Sequence, residues 1–241
     1  MRRKLSFIGV AFSGLALLLG VTSARASSIT YTGSGSGSDG SLSASALFVT
    51  SAGQLQITLS DTLAATIIRS SGQALSDISF TLSNAPGTLG ATSATGQLGN
   101  ISSSGVVTYI SGSPTRWLGG GGQGLFTITG NTITLESIGG SQPSQLIAPA
   151  LANGGTYTNA NGGFGSFDPY VIGPATFTLA LSGVTANTTI TGATFSFGTG
   201  PDTFVPGTPS TVPTPEPSSL ILIGTGLLGA TGLLRRRFAT A

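Results

Sequence analysis

Residues 126–135 read Phe-Thr-Ile-Thr-Gly-Asn-Thr-Ile-Thr-Leu, two short alternating runs on either side of Gly130-Asn131. Alternation of apolar and polar residues is the pattern of a strand with one buried and one solvated face. Glycine tolerates the positive φ that two-residue hairpin turns require. The stretch therefore predicts a β-hairpin whose threonines lie on the outer face.

The same alternation recurs along the middle of the chain, and no segment there has the period of a helix. The clearest further runs are 55–60, 78–82, 177–182 and 194–197. Short strands separated by Gly, Pro and Asn are typical of all-β proteins. We expect an all-β fold, a single β-sandwich of jelly-roll or immunoglobulin-like type, over residues 27–207.

Composition excludes several classes of function. Only 16 of the 241 residues are charged, and Ser, Thr and Gly together account for 105. The chain has no Cys, no His and one lysine, Lys4. Disulfide scaffolds, Cys/His zinc sites, c-type haem and thiol catalysis are therefore excluded. This usage indicates an exported, β-rich protein.

The N-terminus has the three parts of a secretory signal peptide. Met1-Arg2-Arg3-Lys4 is followed by an apolar run over 5–21 and by Ala24-Arg25-Ala26. A basic region, an apolar region and a small-residue site of the form A-x-A mark such a peptide. We expect residues 1–26 to pass through the Sec translocon and to be removed by signal peptidase at Ala24 and Ala26. A retained membrane anchor is the alternative.

The C-terminus carries a second targeting segment. A Pro-rich stretch over 208–217, predicted as a linker, precedes an apolar run over 220–234 and then Arg235, Arg236 and Arg237. The 17 residues from Ser218 to Leu234 form a helix of about 26 Å, slightly shorter than the roughly 30 Å hydrocarbon core. We expect residues 218–241 to be a transmembrane helix with a cytoplasmic basic tail.

These residues resemble the PEP-CTERM sorting signal of Gram-negative bacteria. The resemblance rests on Pro215, Glu216 and Pro217, the Gly-spaced apolar run and the three arginines. It implies recognition by an exosortase, a membrane-embedded cysteine protease that cleaves near the tripeptide and releases the passenger or transfers it to the cell surface. The substrate contributes no catalysis in that family. The passenger is also similar, through 173–179 and 193–200, to domains that often precede this tail, and no activity comes with that similarity.

The exported part of the chain is acidic once both targeting segments are set aside. Between Ser27 and Pro217, Arg69 and Arg116 stand against seven acidic residues, a net charge of −5. Nucleic-acid binding needs a basic surface. We therefore expect no nucleic-acid partner.

The exported part also lacks the usual catalytic groups. Without His or Lys, a serine nucleophile has no base. A carboxylate-dependent glycosidase stays an alternative, although the acids show no converging spacing: Asp39, Asp61, Asp77, Glu136, Asp168 and Asp202. We expect no enzyme, no cofactor and no metal. A calcium site of Asp168, Asn159 and Asn161 is conceivable, and residues 119–124 read as a mobile Gly-rich loop.

Four aromatic residues are candidates for stacking on sugar rings, with packing as the other interpretation: Trp117, Tyr109, Tyr157 and Tyr170. The threonine rows 127/129 and 132/134 could match a polysaccharide or an ice lattice, or reflect ordinary β-propensity. The chain is thus predicted to pass the inner membrane and to reach the cell surface or medium. There it would act as a non-catalytic structural or adhesive module in an exopolysaccharide matrix, or biofilm. A carbohydrate- or ice-binding module is the alternative.

Overall fold

The structure, a computed structural model, describes residues 26–119, 125–139, 142–200 and 203–210. Within these ranges the chain forms thirteen strands and only short 3-10 turns at Ser71–Gln73, Thr115–Leu118 and Phe164–Ser166. The strands are β1 Ser27–Gly37, β2 Gly40–Ser51, β3 Gln54–Asp61, β4 Leu75–Leu82, β5 Leu89–Ile101, β6 Val107–Ile110, β7 Leu125–Thr129, β8 Thr132–Glu136, β9 Ile147–Ala148, β10 Tyr170–Leu181, β11 Ile190–Phe197, β12 Thr203–Pro206 and β13 Thr208–Ser210. The all-β prediction is confirmed.

The strands pair into a single sheet. Its main path is β12-β11-β4-β9-β10-β3-β2-β1-β13, with β5 and β6 attached through β10 and with β8 and β7 attached through β4. The pairs are antiparallel except β9 with β10. The sequence predicted a sandwich of jelly-roll or immunoglobulin-like type, and neither type is confirmed by this connectivity.

The sheet curls so that its apolar faces meet across a main core. The ring of Phe48 in β2 lies 4.9 Å from that of Phe80 in β4, although these two strands are not paired. The ring of Trp117, in the 3-10 turn Thr115–Leu118, lies 5.6 Å from that of Phe177 in β10. The inward residues of the predicted alternating runs, among them Leu55, Ile57, Leu59, Ile78, Leu82 and Leu179, are buried here.

A second cluster of buried residues lies beside the main core. Its members come from loops, one 3-10 turn and strand ends: Leu63, Ile68, Ala74, Ile101, Val107, Leu146, Ala148, Tyr157, Phe164, Tyr170 and Ile172. The ring of Phe164 lies 5.9 Å from Tyr157 and 5.5 Å from Tyr170. This second cluster holds the connections between strands against the sheet.

The predicted hairpin forms as β7 and β8, with Ile128 opposite Ile133. Its turn residue Gly130 has φ of +60°, the conformation for which glycine was expected there. The runs at 55–60, 78–82, 177–182 and 194–197 lie in β3, β4, β10 and β11. Local alternation therefore identified strands correctly.

The start of the predicted linker differs from expectation, and the Gly-Ser tract at 33–38 lies almost entirely in a strand. Residues 33–37 belong to β1, and a Cβ on Gly33 would lie 2.7 Å from Cδ2 of Phe195. Thr208–Ser210 forms β13 and pairs with β1, so the sheet continues beyond residue 207. Glycine has no side chain, so Phe195 can pack closely against β1 at this tract.

Residues 1–25 of the predicted signal peptide, residues 211–217 of the predicted linker and the whole predicted C-terminal segment at 218–241 lie outside the described residues. In the part of the chain that is described, no helix has the length and apolar character to cross a membrane.

Candidate functional site

The two ends of the described chain meet at one edge of the sheet. Strand β1 pairs with β13 in antiparallel register, with Thr30 opposite Ser210 and Thr32 opposite Thr208. Ser210 therefore ends near the start of β1, where exposed Ala26 marks the predicted signal-peptide junction. Ala26 and Ser210, the two ends of the described chain, therefore lie at the same corner of the sheet.

The sorting residues themselves lie outside the described residues: Ala24, Pro215, Glu216, Pro217, Arg235, Arg236 and Arg237. Their distance from the fold is nevertheless bounded by chain length. Four residues lie between Ser210 and Pro215, and an extended chain spans at most about 18 Å from the first Cα to the second. Any protease acting at the tripeptide works close to the edge of the sheet.

Three of the four aromatic candidates for sugar stacking are buried. Trp117 and Tyr170 are 0% exposed and Tyr157 is 1% exposed. Tyr157 donates to the carbonyl of Pro149 at 2.5 Å, and Tyr170 donates to that of Phe164 at 3.0 Å. Stacking of a ligand needs an accessible ring face, so the stacking prediction is wrong for these three side chains.

The remaining candidate, Tyr109, is half-buried, and its hydroxyl donates to the carbonyl of Leu151 at 2.5 Å. Trp117 donates its indole N–H to the carbonyl of Gln145 at 2.7 Å. Burial raises the pKa of the Tyr157 and Tyr170 hydroxyls, which keeps them protonated as donors. All four aromatic side chains thus anchor loops to the fold.

Each of the three predicted calcium ligands is hydrogen-bonded to a different backbone group. Asp168 accepts from the amide of Ile101 at 2.8 Å, and Asn161 accepts from that of Gly163 at 3.0 Å. Asn159 donates to the carbonyl of Ile67 at 3.3 Å. Across the described ranges, no three acidic, histidine or cysteine side chains cluster as a metal site.

Two acids that the sequence left apart are brought together. Asp77 of β4 lies directly opposite Glu136 of β8, and these two residues are called the acid pair below. On the other side of β4, Ser196 of β11 lies opposite Asp77. Directly opposite residues of antiparallel strands share one face, with Cβ atoms about 5 Å apart. Only the register of strands far apart in sequence creates this contact.

The acid pair lies in an environment that disfavours negative charge. Asp77 is 8% exposed, and its Oδ1 is buried with no hydrogen-bond partner. Burial raises the pKa of Asp77 to about 7, with a further contribution from Glu136. Burial also raises the pKa of Glu136.

Asp61 is a second buried acid, at the end of β3. It is 5% exposed and accepts from the amide of Leu63 at 2.9 Å, while its Oδ2 is buried without a partner. Burial raises its pKa well above the usual value, partly opposed by the bond from Leu63. Asp39 instead accepts from Ser70 at 2.5 Å, and Asp202 lies outside the described residues.

Arg116 is a buried cation that the sequence did not single out. It is 6% exposed and donates through Nε to the carbonyl of Ser137 and through a terminal nitrogen to that of Gly139 at 3.2 Å. Burial lowers the pKa of its guanidinium. Because its donors bind backbone carbonyls, Arg116 holds the segment after β8 in place.

The threonine rows lie on the outer side of β7, β8 and β4. We call this surface the hydroxyl face; it comprises Ser79, Thr81, Thr127, Thr129, Thr132 and Thr134. The hydroxyls of Thr81 and Thr132 are 3.0 Å apart, and Thr134 donates to Ser79 at 3.2 Å. Neighbouring strands are about 4.8 Å apart, so these hydroxyls form a regular two-dimensional array.

Comparison with known proteins identifies one segment. Residues 213–237 match the family model of the PEP-CTERM protein-sorting motif. No curated protein and no solved structure matches the chain. The matched motif begins three residues after β13 ends, and it implies that the protein is exported to the cell surface and processed by an exosortase.

Proposed function

We propose, from the premise that this is a PEP-CTERM sorting-domain protein sorted by an exosortase, that its β-domain is a non-catalytic structural or adhesive module of an extracellular polysaccharide layer. In this proposal the chain uses the Sec translocon and signal peptidase, is held briefly by its C-terminal segment in the inner membrane, and is then cleaved near Pro215. The domain itself is the cargo.

The position of β13 is the observation that carries the proposal. All thirteen strands of the described residues end by Ser210, and the sorting motif begins at residue 213. Cleavage near Pro215 would therefore leave every one of these described strands in the passenger. A domain that keeps these strands after release is suited to serve as a stable surface component.

A non-catalytic role fits the side chains present. The exported part has no His or Lys, so the common nucleophile-base pairs are missing. Asp77 of the acid pair is too buried to reach a polymer substrate. A structural module needs none of these groups, and it benefits from the dense backbone pairing of the sheet.

Intact-mass spectrometry of the protein from its host, with and without the exosortase, tests the sorting part. We expect an N-terminus near Ser27 in both samples and a C-terminus near Pro217 only when the exosortase is present. Added mass would identify a glycan or an anchor. A chain ending at Ala241 in both samples would overturn processing.

Co-sedimentation with purified host exopolysaccharide tests the matrix role. The processed protein is expected to pellet with the polymer and to remain soluble without it. A heat-unfolded sample of the same protein serves as the control for trapping. Loss of the protein should weaken the extracellular layer, and an unchanged layer together with no co-sedimentation would contradict the role.

The hydroxyl face supports a second candidate, a carbohydrate- or ice-binding module. Thr127 and Thr129 are exposed, and their hydroxyls form part of a regular array. Replacing both by alanine should abolish a glycan-array or thermal-hysteresis signal. The same change at Thr58 and Thr176, a hydroxyl pair 3.0 Å apart on β3 and β10, is the matched control. No signal in the unaltered protein would remove this candidate.

The burial of Asp77 argues against the alternative of a carboxylate-dependent glycosidase, and variants of the acid pair test it directly. Such enzymes need two carboxyl groups flanking the scissile bond, and only Asp77 and Glu136 are opposed in register within the described strands. Any hydrolysis should therefore fall in Asp77→Asn and Glu136→Gln. Activity that persists in both variants would exclude the pair.

A further inference from the structure

The acid pair combines three features at one place on the outer side of the sheet. Asp77, Glu136 and Ser196 lie in one row across β8, β4 and β11 and share a face. Each of the three carries side-chain oxygen. The row is formed by backbone pairing, so the positions of these residues are held by the sheet itself.

The second feature is a buried carboxylate oxygen of Asp77 that lacks a hydrogen bond from the described residues. Asp77 is more than nine-tenths buried, and its Oδ1 has no hydrogen-bond partner among the described residues. A buried carboxylate oxygen without a partner is costly, and the adjacent carboxylate of Glu136 increases that cost. A small cation between the two carboxylates would supply the missing partner and remove their repulsion.

The third feature is access. Glu136 lies opposite Asp77 and is half-buried, so one member of the acid pair is in contact with solvent. A bound cation must lose part of its water shell, and two carboxylates offer negative charge to replace it.

We propose that Asp77 and Glu136 bind a calcium ion, with the hydroxyl of Ser196 and water as further oxygen ligands. Calcium accepts six to eight oxygen ligands in irregular geometry, whereas magnesium requires a near-ideal octahedron. Calcium sites of extracellular modules bind with Kd values of about 10⁻⁴ to 10⁻³ M. The residues of this site lie on β4, β8 and β11, and none belongs to β13 or to the sorting motif.

Calorimetry on the processed protein from its host, stripped with a chelator, tests the proposal. Titration with CaCl₂ should give one ion per chain with a Kd on the order of 10⁻⁴ to 10⁻³ M. The Tm should rise with calcium and stay unchanged with NaCl at equal ionic strength. An absence of both the binding heat and the Tm shift would overturn the site.

Two variants and a matched control locate the ion. Glu136→Gln should weaken calcium binding at least about tenfold. Asp77→Asn should abolish binding and, in chelator, should be at least as stable as the unaltered protein, because it removes a buried charge. Asp61→Asn also alters a buried acid with an unpartnered oxygen, and it should keep full affinity. Unchanged binding in both acid-pair variants would disprove the assignment.

Discussion

The main core and the second cluster differ in the aromatic residues that they bury. The main core uses phenylalanines on paired strands, such as Phe48, Phe80 and Phe177. The second cluster uses Tyr157 and Tyr170, which lie among loops and strand ends. Both tyrosine hydroxyls donate to backbone carbonyls, whereas phenylalanine has no polar atom to place.

The difference follows from where backbone hydrogen bonds are made. Strand carbonyls of the main core are already paired within the sheet, so purely apolar side chains suffice there. Loop carbonyls have no such partner and must find another donor. Tyr31 of the main core donates to the carbonyl of Ile190, the first residue of β11, at 2.9 Å, beside a register shift in the pairing of β11 with β4.

The largest expected effect comes from truncating one ring in each region. Phe177→Ala should lower the free energy of unfolding by about 3 to 5 kcal/mol and weaken the whole sheet. Phe164→Ala should instead open chiefly the loops of the second cluster, since its neighbours are Tyr157 and Tyr170. Urea unfolding measures the loss of free energy of unfolding, and hydrogen exchange shows which segments open in each variant. Equal exchange patterns in the two variants would erase the distinction.

A pH titration of stability without added calcium addresses the two buried acids, Asp77 and Asp61. The folded-state pKa of Asp77 is about 7 against 3.8 when unfolded, so the folded protein binds the extra proton between these values. Stability should therefore fall as pH rises from about 4 to about 7, by up to about 1.4 kcal/mol per unit. Asp61, with its raised pKa, acts in the same direction.

Denaturant midpoints measured across this pH range test the expected fall in stability. Asp77→Asn should remove part of the pH dependence of stability, and Asp61→Asn should remove another part. The two effects should add, because the acids lie at separate sites. Stability that rises between pH 4 and pH 7 would contradict the direction expected for both acids.

A smaller effect is expected where β1 closes the main core. Gly33→Ala would place a Cβ 2.7 Å from the ring of Phe195, so the layers must separate and stability should fall by about 1 to 3 kcal/mol. Gly192→Ala in β11 meets no atom within 4 Å and is the control, expected to be neutral. Thermal unfolding distinguishes them. A neutral Gly33→Ala would mean that β1 does not pack closely.

The smallest effect isolates a single hydroxyl of the second cluster. Tyr170→Phe leaves the carbonyl of Phe164 without its donor and should cost about 1 kcal/mol. Tyr109→Phe removes a hydroxyl from a half-buried site, where water can replace it, and should cost less. If both variants matched the unaltered protein in denaturant, the hydroxyls would not be what holds these loops.

Much of the main core could be predicted from sequence, and little of the second cluster could. Alternation within a strand is local, so the buried side of β3 or the hairpin at 126–135 is visible in the sequence alone. Tyr157 and Tyr170 have no such pattern around them, and they read equally well as exposed stacking residues. Their burial depends on loops closing over the sheet.

The candidate sites divide in the same way. Pro215, Glu216 and Pro217 form a linear address whose residues are adjacent, so the sorting motif was found directly and its match is confirmed. The acid pair needs β4 to align with β8 in one register out of several. A shift by one residue would place Glu136 on the opposite face, and nothing local specifies that choice.

The sequence by itself determined the all-β class, the sorting motif and the positions of β3, β4, β7, β8, β10 and β11, because each rests on neighbouring residues. Tertiary structure alone decided that residues 33–37 belong to β1, that β13 pairs with β1 and that Asp77 lies opposite Glu136. Those outcomes depend on contacts between distant segments. The physical reason is that close packing and strand register are set by the free energy of the whole fold.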